Sequence, residues 1–148
     1  MYFEYGEKEI EYLKSKDKRL SEVIDRVGYI KRRVDPDLFS SVVRHIIGQQ
    51  ISVKAQQTIW QRMIDKFGNV TPESISNADT SELQSLGMTF RKAEYIKDFS
   101  NKVTNGGFVL SDVEGMSDDE AIKALSSLKG VGVWTAEMIL LFCLQRPN

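Results

Sequence analysis

Apolar residues recur along this chain at helical spacing and almost nowhere at strand spacing. Ile10 and Leu13, then Leu20, Val23, Ile24 and Val27, mark the faces of two amphipathic segments split by Lys-Ser-Lys-Asp-Lys. Leu38 to Ile47, "LFSSVVRHII", is apolar enough for a buried helix, and "VKAQQTIWQRMIDKFG" follows with the same period. No alternating run of four or more β-branched residues stands clear of a helical pattern, so the expected fold is all-α.

The punctuation fits that reading. Gly28 and Gly68 stand where helices end. Pro36 suits the first turn of a helix, with Asp35 as its N-cap. Ser52 can cap the next helix. Thr71-Pro72 and Asp79-Thr80 each open a short one, and another runs from about Thr89 to Thr104. Asp118, Asp119 and Glu120 suit the positive end of a helix dipole. The last helix is expected from Trp134 to Leu144.

With 148 residues and 41% hydrophobic content, the chain can form one compact unit or two small lobes. A net charge of −1 gives no global basic field, so any contact with nucleic acid must come from a local surface. The single Cys143, inside "MILLFCL", excludes a disulfide framework within the chain and reads as a small core residue. The N-terminal "MYFEYGEKEIEYLKSK" is no signal peptide, and the longest apolar run, Met138 to Leu144, is too short to span a bilayer. A reducing, cytoplasmic setting and no membrane partner are expected.

The most informative stretch is "SLKGVGVWTAEMILLFCLQRPN". Gly130 and Gly132 permit a tight turn and close approach of another backbone. A helix begins at once, so the N–H groups from about Gly130 to Thr135 are expected to point outward together. Free N–H groups at a helix start favour an anion, with phosphate the first choice. Glycines near helix ends are common, and an ordinary structural turn stands as the alternative.

"LKGVGVWTAE" resembles the helix-hairpin-helix element of the helix-hairpin-helix/Gly-Pro-Asp DNA glycosylase superfamily. The pattern L-P-G-x-G-x-x-T-A is matched at Leu128, Gly130, Gly132, Thr135 and Ala136, with Lys129 in place of the usual proline. "HIIGQQIS" is similar to the segment carrying the residue that fills the gap left by a flipped base. "LGMTFRKAEYI" is similar to the segment that runs before the hairpin. The likeness is strongest to the 3-methyladenine DNA glycosylase II type. It implies residues 1–34 as N-terminal helices of a split helical lobe, and 35–148 as a central helical domain ending in the hairpin. That is the N-terminal portion only of the family's fold.

The resemblance implies specific roles. Lys129, Gly130, Val131, Gly132 and Thr135 would hold a DNA phosphate. Gln49 and Gln50 would form the probing pair, with Gln50 at the wedge position, and Arg91 and Lys92 would add backbone contacts. Trp134 stands where the lyase branch carries its attacking lysine. Tryptophan forms no Schiff base, which implies a monofunctional glycosylase using water. An indole wall also favours a cationic alkylated purine, by ~0.5–2 kcal/mol; the alternative is that Trp134 is a packed first-turn aromatic. Backbone carbonyls of Ser126, Leu128 and Val131 would hold a monovalent cation, sodium or potassium; no other cofactor is implied. His45, alone on an apolar face, reads as a core residue.

By the same pattern the catalytic aspartate falls past Asn148, after a turn that "LQRPN" would begin. No catalytic residue is therefore expected within the chain, and Glu137 is better explained by the helix dipole. The helices of residues 7–27 would then lack the family's C-terminal partners. The expected partner is double-stranded DNA with a damaged base, with a missing C-terminal segment or a second chain completing the site. Three readings stay open: an alkylated-purine glycosylase of base excision repair, inactive as this fragment; a non-catalytic helix-hairpin-helix DNA-binding module; and a helical protein-interaction domain.

Overall fold

The computed structural model describes residues 1–146. All its regular elements are helices: α1 Glu7–Lys16, α2 Lys18–Val27, α3 Leu38–Gly48, α4 Val53–Phe67, α5 Pro72–Asn77, α6 Thr80–Ser85, α7 Phe90–Thr104, α8 Leu110–Gly115, α9 Asp118–Ser126 and α10 Val133–Phe142. The only pairing of extended backbone among the described residues is an isolated antiparallel bridge, Tyr2 with Arg33. The chain divides into two units, Met1–Val34 and Asp35–Asn148.

The first unit is a helical hairpin closed by its own ends. Asp17 ends α1 and caps α2, accepting the Leu20 N–H at 3.0 Å. Phe3 N–H donates to the Arg32 carbonyl, and Tyr5 stacks on Tyr29 at 4.6 Å between centroids. Neither helix buries a residue, and Leu13, Leu20, Val23 and Val27 are exposed.

The second unit is built around α3. Val42, Val43, Ile46 and Ile47 are wholly buried, and α3 packs against α4, α7 and α10. Phe39 stacks on Phe99 at 5.2 Å, joining α3 to α7. The short helices α5 and α6 lie on α7, and α9 lies on α10. Within α10, Ala136 and Ile139 are wholly buried and Leu140 nearly so, as is Cys143 at its C-cap.

Most helix starts follow their caps. Ser52, Thr71, Thr89 and Ser117 each accept a backbone N–H from the first turn of the helix they precede. The start of α3 differs from the sequence reading. Asp37, not Asp35, is the N-cap, its Oδ2 accepting from Ser40 N–H at 2.9 Å. Pro36 lies before the helix. Asp35 is held elsewhere: its N–H donates to the Phe142 carbonyl at 3.0 Å, and its carboxylate pairs with Arg44 at 3.4 Å. Residues 110–115 form a short helix that the sequence analysis did not place, and α10 runs from Val133 to Phe142.

Candidate nucleic-acid interface

Three segments far apart in sequence line one cleft of about 780 Å³. The turn after α3 contributes Gln49, Gln50 and Ile51. The start of α7 contributes Thr89, Arg91, Lys92 and Tyr95. The turn between α9 and α10 contributes Gly130, and the first turn of α10 contributes Trp134 and Thr135. The volume lies within the roughly 300–1,000 Å³ of small-molecule clefts, ample for one nucleobase. Two lining residues are cationic and none is acidic.

The α9–α10 turn is organised by its glycines. Gly130 has φ +80°, and a Cβ there would stand 2.2 Å from Cδ2 of Tyr95, so the turn sits directly on that ring. Gly132 is the N-cap of α10, offers no side-chain cap, and would have nothing within 4 Å of an added Cβ. Among the described residues, no acceptor meets the N–H groups of Gly130, Gly132, Val133, Trp134 and Thr135. They are the unfilled donors of a helix start and carry its positive partial charge. The Val131 N–H differs from the sequence reading. It donates to the Leu128 carbonyl at 3.1 Å and is no outward donor, while the buried Val131 side chain pins the turn to the core.

The remaining predicted residues divide. Trp134 is 68% exposed at the cleft, so it is no packed first-turn aromatic. Arg91 is exposed at the cleft edge. Lys129 is exposed too, but its ammonium pairs with Asp98 at 3.0 Å, and Asp98 also holds Lys102. Burial raises the Asp98 pKa, and the two ammonium groups outweigh it, leaving the carboxyl below its ordinary value. The glutamine pair is split. Gln49 is half-buried, and its amide donates to the Gly130 carbonyl at 2.7 Å; only Gln50 is exposed. Gln50 adopts φ +59°, a left-handed conformation uncommon for glutamine.

Lys92 points inward rather than at a phosphate. Its Nζ donates to the carbonyls of Ile47 at 2.9 Å and Gln49 at 2.5 Å. Desolvation lowers its pKa. Tyr95, the ring beneath Gly130, has no counterpart in the sequence reading, although its helical position three residues past Lys92 puts it on the same side of α7. Glu137 is exposed and does not line the cleft. His45 Nδ1 lies 2.7 Å from the Ser41 carbonyl, and burial depresses its pKa, as expected for a core histidine.

Residues 43–143 match the family described as HhH-GPD superfamily base excision DNA repair protein. The chain belongs to this superfamily. This HhH-GPD chain has the fold of Schizosaccharomyces pombe 3-methyladenine DNA glycosylase in complex with abasic DNA. The TM-score is 0.83 at 27% identity, over 94% of this chain and 71% of that one. It is also similar to DNA-3-methyladenine glycosidase from Bacillus halodurans, with TM-score 0.78 at 32% identity, over 99% of this chain and 68% of that one. Among curated relatives, YfjP of Bacillus subtilis (strain 168), provisionally named a DNA-3-methyladenine glycosylase, is 32% identical over 123 residues. That match covers 78% of this chain and 43% of YfjP. DNA-3-methyladenine glycosylase 1 of Schizosaccharomyces pombe is 28% identical over 135 residues, 88% of this chain and 59% of that protein. The chain thus spans about half the length of the curated relatives it matches.

Among the described residues, no helix is long and apolar enough to cross a membrane, and no cluster of three or more His, Cys, Asp or Glu side chains could hold a metal ion. Backbone carbonyls are another matter. Those of Ser126 and Val131 accept no hydrogen bond among the described residues, and that of Leu128 accepts one and keeps a second lone pair.

Proposed function

We propose that this chain supplies the DNA-holding and base-probing parts of a monofunctional DNA glycosylase that removes alkylated purines of the 3-methyladenine kind in base excision repair. One observation carries the reading: unfilled N–H donors at the start of α10, the exposed Trp134 and the exposed Gln50 meet around one cleft. The donors grip a phosphate through hydrogen bonds that carry no base information. Gln50 enters the stack and meets the orphaned partner base. The extruded base lies against Trp134, and a cationic alkylated purine gains cation–π attraction there that a normal base lacks. The carbonyls of Ser126, Leu128 and Val131 would hold a sodium or potassium ion beside the hairpin, adding positive charge near the gripped phosphate. Buried Cys143 supports a reducing, cytoplasmic setting.

Hydrolysis needs a carboxylate to stabilise the developing cationic sugar and to orient water. The cleft lining holds no carboxylate and no lysine free to attack, because the Lys92 ammonium is engaged by two carbonyls. On this proposal the acid is the family aspartate expected past Asn148. The acid-free lining also favours a second reading, a non-catalytic helix-hairpin-helix DNA-binding module.

The test is incubation of the natural protein with methylated DNA. Release of 3-methyladenine as free base, leaving an abasic strand unbroken, is expected. Binding without release supports the non-catalytic module, and an adduct trapped by borohydride contradicts the monofunctional chemistry.

A further inference from the structure

Gly48, Gln49, Gln50 and Ile51 form a tight turn closed by Ile51 N–H to the Gly48 carbonyl at 3.4 Å. Gln49 has φ −59° and ψ 126°, and Gln50 has φ +59°. These angles are those of a type II turn, whose third position normally belongs to glycine or asparagine. A type I turn would let Gln50 keep a negative φ. The two turn types differ by a flip of the central peptide, which here joins Gln49 to Gln50. The carbonyl of that peptide is the Gln49 carbonyl, and it accepts the Lys92 ammonium. The second Lys92 bond, to the Ile47 carbonyl, fixes the ammonium against the end of α3. The Gln49 side chain then joins the turn to Gly130 of the phosphate-gripping hairpin.

We infer that Lys92 is a positioning residue for base probing: it locks the Gln49–Gln50 peptide in its type II orientation, so that Gln50 projects from the turn at a fixed distance from the hairpin. The inference rests on the proposed DNA-binding role and gives Lys92 a part in it that touches neither phosphate nor base. Locking costs strain at Gln50, and strain held by surrounding structure is expected where a side chain must be aimed. Without the ammonium, the peptide flips, Gln50 relaxes, and its amide leaves the probing position.

The test uses two duplexes, one plain and one with a tetrahydrofuran abasic analogue facing 2-aminopurine, whose fluorescence rises when it is unstacked. The parent should prefer the abasic duplex and raise the fluorescence. Lys92→Met should keep plain-duplex affinity, lose most of the fluorescence rise, and lose about tenfold of the abasic preference, as Gln50→Ala does. The double variant should be no worse than either single one, and Lys92→Arg should restore part of the signal. Circular dichroism reports whether each variant is folded. Should Lys92→Met fail to fold, a partial or parental signal in Lys92→Arg combined with a lost signal in Gln50→Ala sustains the inference, and a parental signal in Gln50→Ala, or a Lys92→Arg loss equal on both duplexes, overturns it. Lys92→Met with parental fluorescence and preference overturns it, as does an equal loss on both duplexes, which would make Lys92 a phosphate contact. A parent that binds neither duplex overturns the proposed function itself, and this inference with it.

Discussion

Gly130 and Gly132 stand two residues apart and should answer substitution in opposite ways. Gly130→Ala places a Cβ against Tyr95 at a positive φ, so it should destabilise the fold by about 2–4 kcal/mol, read from urea unfolding. Gly132→Ala meets nothing within the protein and should leave stability nearly unchanged. Its methyl group instead obstructs the approach of a phosphate. DNA affinity should fall by about tenfold, near the worth of one charge-assisted hydrogen bond, and equally for damaged and plain duplex. Parental affinity in a folded Gly132→Ala would make the hairpin purely structural. His45 adds a pH dependence. Burial depresses its folded pKa, so the neutral ring contributes stability that is present above the unfolded value of 6.5 and lost as pH falls below it. The melting temperature should drop on acidification from pH 6.5, with a shallower slope in His45→Gln. Cys143 is held as a thiol: burial pushes its pKa up to about 11, so Ellman's reagent at pH 8 should label it only after unfolding.

At the scale of elements, the connection from α8 to α9 hangs on one side chain from beyond α10. Arg146 donates to the carbonyls of Val113, Glu114 and Met116 and to the Asp118 carboxylate, at 2.8–3.2 Å. Its side chain is only 18% exposed, so these partners stand in for water. Arg146→Met should cost about 2–4 kcal/mol, measured by urea unfolding, because the end of α8 loses its donors. A loss below about 0.5 kcal/mol would mean that solvent replaces them readily. Nothing in "LQRPN" announces this role, since its partners lie about thirty residues earlier. Elements with local signals were legible. Ser52, Thr71 and Thr89 cap helices through their own side chains, a bond spanning three residues. Asp35 and Asp37 flank Pro36 symmetrically, and the choice between them rests on Phe142 and Arg44, which no local pattern contains. Six residues of α8 are too few to display a helical period. The candidate site divides in the same way. Trp134 and the hairpin glycines stood out by motif. The inward turn of Lys92 and the tether from Gln49 to Gly130 depend on partners 45 and 81 residues away.

At the scale of the molecule, the second unit brings three helix ends to one cleft with no acid in its lining. The residues proposed to grip and to probe sit on helix ends held by one continuous core, to which α3, α7 and α10 contribute. The proposed function therefore separates base extrusion, assigned to this cleft, from bond hydrolysis, which needs a carboxylate that the cleft lining lacks. The most direct measurement is 3-methyladenine release from methylated DNA by the purified 148-residue chain. The account predicts release no faster than the spontaneous rate, since losing charge stabilisation alone typically costs on the order of 10² to 10³ in rate, and losing a water-orienting base costs more. Release near the rate of a full-length relative would contradict it and would point to Glu137 as the catalytic carboxylate.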